Sequence, residues 1–297
     1  MINLKCNLCP RGCNIDRRIQ IGYCGGTDKL KVARAALHMW EEPCISGTTG
    51  SGAVFFSGCQ LKCVFCQNYS IADSSNGKEI DTDRLVSIFF ELKEKGACNI
   101  NLVTGDQYIP QLAESIRIAK GKGFDLPFVY NTGSYVKAET LKILEGLVDI
   151  YLPDYKYFES ETAKKYSNAS DYPQVALDAV KEMVRQQPVC EFDEDGMMRR
   201  GVIVRHLLLP GRLIEAKHIV KRLFEVFGNS IYISLMSQYT PVNGIEKRYP
   251  ELAATVSRKS YNKLIDYAIE LGVEQGYYQS GDVAKESFIP CFDCEGV

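Results

Sequence analysis

Histidine is scarce in this chain: three residues among 297, against twelve cysteines. A metal site here must be mainly sulfur, which sets aside the imidazole-rich zinc and non-haem iron centres. Charge of either sign is not in excess, with 35 basic and 37 acidic residues and a net charge of −2. No dense Lys/Arg run is present, so no nucleic-acid partner is expected. No stretch approaches the roughly eighteen apolar residues of a membrane-spanning helix, so no membrane association is expected. The start, Met1-Ile2-Asn3-Leu4-Lys5-Cys6, lacks the apolar core of a secretory signal. The expectation is a cytoplasmic protein in a reducing compartment, where thiol ligation outcompetes disulfides.

Cysteine is what the chain has in quantity. The residues lie at 6, 9, 13, 24, 44, 59, 63, 66, 98, 190, 291 and 294, and nine of them fall in three clusters. The central cluster is Ser57-Gly58-Cys59-Gln60-Leu61-Lys62-Cys63-Val64-Phe65-Cys66, spaced C-x3-C-x2-C after the apolar run Ala53-Val54-Phe55-Phe56. Three thiolates on one tight loop can hold three irons of a [4Fe–4S] cluster and leave the fourth open to a substrate. The plainer alternative is a zinc knuckle or structural cysteines, but zinc knuckles pair C-x2-C units and need a fourth protein ligand. The leader, Cys6-Asn7-Leu8-Cys9-Pro10-Arg11-Gly12-Cys13 with Gly22-Tyr23-Cys24-Gly25-Gly26 behind it, offers four thiols: Cys6, Cys9, Cys13 and Cys24. These complete a tetrahedral Zn²⁺ set or a closed second [4Fe–4S] cluster. A reduced, metal-free cysteine-rich leader is the alternative. The tail Phe288-Ile289-Pro290-Cys291-Phe292-Asp293-Cys294 adds a C-x2-C pair that could replace leader ligands if the termini meet.

With 45% apolar and 24% charged residues, the chain can bury a large core. The reading divides it into a Cys-rich module and linker, 1–52, and a barrel with a C-terminal extension, 53–297. The stretch Val32–Trp40 mixes strand and helix signals and is left open. From residue 53 strands alternate with helices: strands at Val54–Phe56, Asn99–Thr104, Phe128–Asn131, Asp149–Leu152, Val202–Leu209 and Ile231–Met236, helices at 82–95, 110–122, 137–146, 173–187, 215–227 and 259–272. That rhythm predicts parallel βαβ units and an α/β fold, an incomplete (β/α)6 barrel of the TIM type. Chemistry in such barrels lies at the C-terminal strand ends. Those ends read Val103-Thr104-Gly105-Asp106-Gln107, Asn131-Thr132-Gly133, Asp154-Tyr155-Lys156, Val204-Arg205-His206 and Ser237-Gln238-Tyr239. Polar residues recurring at five strand ends suit a polar, zwitterionic, nucleoside-bearing ligand.

The C-x3-C-x2-C loop, with an aromatic residue before its third cysteine, resembles the signature of the radical S-adenosylmethionine (SAM) superfamily. The strand-end motifs and the C-x-L-C-P-R-x-C form of the leader narrow the resemblance to proteins related to the pyruvate formate-lyase activating enzyme, of the PflX-type branch. The resemblance covers nearly the whole chain. It implies that Cys59, Cys63 and Cys66 hold the [4Fe–4S] cluster, whose open iron takes the amino and carboxylate groups of SAM. It also implies cofactor contacts from Thr104 and Gly105, Asn131 and Thr132, Asp154 and Lys156, and Arg205. An arginine opposite the methionine carboxylate is sound physics. The chain departs from the activase where Thr104-Gly105-Asp106-Gln107 replaces a Gly-Gly-Glu, and where Asn131 replaces an aspartate.

The function this implies is reductive cleavage of SAM to a 5′-deoxyadenosyl radical that abstracts hydrogen, with flavodoxin or ferredoxin as electron donor. The substrate follows from no motif. It could be a glycine of a partner glycyl radical enzyme, or a small molecule or peptide. A non-catalytic metal-binding protein that kept the fold is the alternative from another class.

Overall fold

A computed structural model describes residues 5–279 and 290–297. Residues 1–4 and the tail residues Phe288 and Ile289 lie outside the described residues. The strands are β1 (Leu30–His38), β2 (Ser51–Phe56), β3 (Lys78–Ile80), β4 (Ile100–Val103), β5 (Phe128–Thr132), β6 (Ile150–Pro153), β7 (Glu191–Phe192), β8 (Met198–Leu207), β9 (Tyr232–Met236) and β10 (Gly276–Tyr278). The helices are α1 (Pro43–Ser46), α2 (Tyr69–Ala72), α3 (Thr82–Glu94), α4 (Ile109–Gly121), α5 (Ala138–Leu141), α6 (Ser160–Ser167), α7 (Tyr172–Gln186), α8 (Leu213–Phe227) and α9 (Arg258–Glu270).

One sheet runs in the order β10-β9-β8-β6-β5-β4-β2-β1-β3, with β7 attached to β8. The six strands expected from the alternation, β2, β4, β5, β6, β8 and β9, pair parallel and in chain order. β10 extends them in parallel, while β1 is antiparallel to β2 and β3 to β1. The path ends on β10 and β3, so the barrel is open, as expected. Every residue of β2, β4, β5 and β6 is buried, because helices cover one face and the barrel interior the other. The long helices explain their own register. In α3, Leu85, Val86, Ile88, Phe89 and Leu92 form the buried stripe, and the Asp81 carboxylate caps the first turn by accepting from the Arg84 N–H at 2.8 Å.

Three differences from expectation have local causes. The undecided segment at 32–40 is largely β1, settled by pairing with β2 from Val32↔Phe56 to His38↔Ser51, and it falls within the stretch read as module and linker. The helix expected at 137–146 is a single α-turn plus a 3-10 turn, Lys142–Leu144, ahead of Gly146 at φ 74°. The strand expected to reach Leu209 stops at Leu207 and starts earlier, at Met198, where β7 pairs with it. The tail residues run along β1: the Cys294 N–H donates to the Ala33 carbonyl at 2.9 Å and the Ala35 N–H to that of Glu295 at 2.8 Å. Among the described residues no helix is long and apolar enough to cross a membrane.

Candidate active site

The loop after β2 makes a tight reversal that only glycine fits. Gly58 has φ 91°, and a Cβ there would lie 2.7 Å from the Cys24 carbonyl oxygen. That oxygen accepts the Cys59 N–H at 3.1 Å, so the leader's last cysteine is bonded to the first cysteine of the loop. Gln107 ties the loop to the end of β4: its Nε2 donates to the carbonyls of Ser57, Gly58 and Thr104 at 3.0, 3.1 and 3.1 Å. Phe65, just before the third cysteine, sets its edge against Tyr157, Tyr166 and Tyr239 and anchors the loop in the core. The Leu61 N–H points at the Cys59 sulfur at 3.4 Å. Burial first, and the Cys63 thiol second, pushes Cys59 up to about 11 and Cys66 up to about 12. Metal binding at these thiols must therefore displace protons.

The cavity below this loop is lined by Cys59, Cys63 and Cys66 together with Thr104, Asn131, Thr132, Asp154, Lys156 and Arg205. Nine of the ten residues expected around the cluster and its ligand thus share one wall-to-wall site. Gly105 is not among the lining residues; it adjoins Thr104, and a Cβ there would meet Leu112 Cδ1 at 2.6 Å, so the position is closely packed. Thr104 stands at φ 58°, a costly conformation for a β-branched residue, and its N–H is held by the Asn131 carbonyl at 2.9 Å.

Asp154 organises the charge. Its Oδ2 accepts from Lys156 Nζ at 2.6 Å and its Oδ1 from Arg205 Nε at 3.0 Å. Burial alone would raise the Asp154 pKa, but Lys156 and Arg205 outweigh it and hold it below the ordinary value. Burial would likewise lower Lys156, yet Asp154 and the Cys63 and Cys66 thiols keep it above its usual range. Arg205 also donates to Glu41 Oε2 at 2.9 Å and to Asn131 Oδ1 at 2.5 Å. Three of its N–H groups are thereby engaged and two remain. The Asn131 amide donates in turn to Glu41 Oε1 at 3.3 Å. An aspartate at 131 would oppose that carboxylate, which is a physical reason for asparagine there.

Sequence reasoning did not find Glu41, Gln60 or Asp106 as site residues. Glu41 sits in a turn-rich stretch outside the strand-end register, and reaches Asn101, Asn131 and Arg205 from there. Asp106, 1% exposed, accepts from Gln60 Nε2 at 2.8 Å, Tyr130 at 2.7 Å and Thr132 at 2.5 Å. It thereby clips the cysteine loop to β5. The only signal was its place one residue past Gly105.

The leader cysteines form a separate group. Burial, and then the thiols of Cys24, Cys13 and Cys6, pushes Cys9 up to about 12, with the Arg11 backbone N–H opposing. The Tyr23 N–H points at the Cys13 sulfur at 3.4 Å. Among the described residues no three His, Cys, Asp or Glu side chains are arranged around one ion. Two arginines dock this segment. Arg11 donates to the carbonyls of Gln60 and Ser167, each at 2.9 Å, and to that of Asn168. Arg17 donates to Gln107 and Thr27 carbonyls and lies over the Tyr108 ring. Cys291 and Cys294 lie along β1, beside Arg34 and Ala33.

The donor set fits a [4Fe–4S] cluster: three free thiols from one loop, facing a cavity, with an ammonium beside two of them. A family model, the radical SAM superfamily, matches residues 53–223. The chain belongs to the radical SAM superfamily. The match runs from β2 through most of α8, and so takes in the cysteine loop and every lining residue named above. A protein of Methanocaldococcus jannaschii, MJ0674, is 25% identical over 282 residues, covering 92% of this chain and 77% of that protein. Among solved structures, Streptococcus suis SuiB bound to S-adenosylmethionine has a TM-score of 0.48 at 12% identity, over 76% of this chain and 49% of SuiB. SuiB bound to the precursor peptide SuiA has a TM-score of 0.47 at 12% identity, over 75% of this chain and 46% of SuiB. The chain thus spans about half the length of SuiB.

Proposed function

We propose that the protein is an enzyme that reductively cleaves SAM at a [4Fe–4S] cluster held by Cys59, Cys63 and Cys66, and takes a hydrogen atom from a polypeptide. The observation that carries this reading is the convergence of the three loop thiols and five parallel strand ends on one cavity. A cluster held there by Cys59, Cys63 and Cys66 would supply the one low-potential electron that reductive cleavage of SAM requires. The residues bind and orient. The Lys156 ammonium offsets thiolate charge at Cys63 and Cys66. The two spare N–H groups of Arg205 suit the methionine carboxylate, and the carboxylates of Glu41 and Asp154 suit its ammonium. Asn131, Thr132 and the Thr104 backbone lie beside them.

A chain-like substrate suits a cavity whose lining includes Trp40, 57% exposed, and Pro290 of the C-terminal segment. A glycine in a partner enzyme, the substrate implied by resemblance to the PflX-type branch, is one member of this class; a free peptide is another. Flavodoxin or ferredoxin is the proposed reductant. Cys6, Cys9, Cys13 and Cys24 are proposed as a second metal centre. Metal counting on protein with Cys59, Cys63 and Cys66 all changed to Ala reads it: about four irons mean a cluster, about one zinc a structural site, and no metal overturns this part.

The substrate test is anaerobic turnover with polypeptides deuterated at Cα. Deuterium recovered in 5′-deoxyadenosine supports the reading. Label arriving only from small molecules overturns the substrate class, and intact SAM overturns the reading whole.

A further inference from the structure

One hydroxyl points at a cluster-loop sulfur, and no expected function accounts for it. Ser167 Oγ donates to Cys63 Sγ at 2.9 Å, and the Tyr157 hydroxyl lies 2.6 Å from Ser167 Oγ. Ser167 is 2% exposed and Tyr157 is fully buried, so water does not compete for this chain of hydroxyls. The placement is enforced. Ser167 is the last residue of α6, which ends on Asn168 in the left-handed region at φ 48°. The carbonyls freed at that end are met from two sides. The Val64 N–H of the cysteine loop donates to Tyr166 O at 2.9 Å, and Arg11 of the leader donates to Ser167 O at 2.9 Å. Cys59 receives a backbone N–H from Leu61; Cys63 receives a side-chain hydroxyl.

Adding an electron to a thiolate-bound cluster adds negative charge that its sulfurs share. A donor aimed at a ligating sulfur stabilises the more negative state and raises the reduction potential. In a dry site the effect is larger than in water. We infer that Ser167, oriented by Tyr157, is a positioning residue that hydrogen-bonds the Cys63 sulfur and raises the reduction potential of the cluster this sulfur holds. The inference rests on the proposed cluster at Cys59, Cys63 and Cys66. It makes α6 the element through which fold and leader together set how readily that cluster accepts its electron.

The test is an EPR-monitored redox titration of reconstituted protein, with iron counted on the same samples. Ser167→Ala keeps the wild-type iron content. At a fixed applied potential its reduced-to-oxidised ratio falls about tenfold, which is ~59 mV more negative for a one-electron couple. Tyr157→Phe shifts the ratio the same way by about threefold, since the serine proton loses its orienting partner. Ser167→Thr keeps a hydroxyl and the wild-type value. Equal midpoints in wild type, Ser167→Ala and Tyr157→Phe overturn the inference. Should Ser167→Ala fail to load iron, the Tyr157→Phe shift decides. A wild-type protein that assembles no cluster at the loop overturns the underlying reading instead, a result the iron count separates from an unshifted potential.

Discussion

The two sets of clustered thiols, Cys59/Cys63/Cys66 and Cys6/Cys9/Cys13/Cys24, are built on different principles. The loop set grows from a fully buried strand of the parallel sheet and is pinned by Asp106 and Gln107, just past β4, and by the aromatic core. The leader set sits on turns with no long element of its own, held to the barrel by the guanidinium groups of Arg11 and Arg17 on backbone carbonyls. One set is placed by the fold; the other is attached to it. The meeting point is the bond from Cys59 N–H to the Cys24 carbonyl. A metal in the leader would therefore bear on the loop's position.

The comparison breaks first on the loop. Changing Cys63 to Ala should remove that cluster's iron and its visible absorbance entirely, whereas Cys13→Ala should leave them in place; equal losses in both variants would show that the two sets are one site. Next in size is the charge array. Asp154→Ala releases Lys156 and Arg205, and SAM affinity should fall by about 1.5–3 kcal/mol, roughly ten- to a hundredfold, in calorimetry. An unchanged affinity would make the pair merely structural. The leader's attachment is tested by Arg17→Met. Arg17 is 7% exposed and bonds two carbonyls, so urea denaturation should show a loss of about 2 kcal/mol. No loss would mean that the leader docks by other contacts.

The pH response is of the same size and confined to one window. Burial first, with Lys156 behind it, pushes the His206 imidazole down to about 4, while its Nδ1 lies 2.8 Å from the Tyr155 carbonyl. An unfolded histidine takes a proton near pH 6.5, so the unfolded state binds more protons between about 6.5 and 4, and stability falls as pH drops through that window. From pH 7 to pH 5 this group should cost about 2 kcal/mol, and His206→Asn, whose amide can still donate to Tyr155, should flatten that part of the profile. Identical slopes in both proteins would contradict the assignment.

What the sequence disclosed follows from this division. The parallel strands were legible because burial on both faces writes them as short apolar runs, and their polar ends then predicted the cavity lining. Glu41 was not, since its carboxylate enters the site from a turn that carries no strand-end signal. Nor was α6: Ser-Glu-Thr-Ala-Lys-Lys-Tyr-Ser is a polar octapeptide without a side-chain N-cap bond, and its end is fixed by Val64 and Arg11, residues far off in the chain. The leader's thiols were visible as a pattern, but their attachment through Arg11 and Arg17 is a matter of tertiary contact alone.

The central claim is that the loop thiols carry the chemistry, and it is most directly tested by product analysis. Wild-type protein, reconstituted and reduced without oxygen, is mixed with SAM beside a variant with Cys59, Cys63 and Cys66 changed to Ala. The account predicts 5′-deoxyadenosine and methionine from the wild type and none from the variant. Intact SAM with the iron-loaded wild type, or equal product from both proteins, would contradict it.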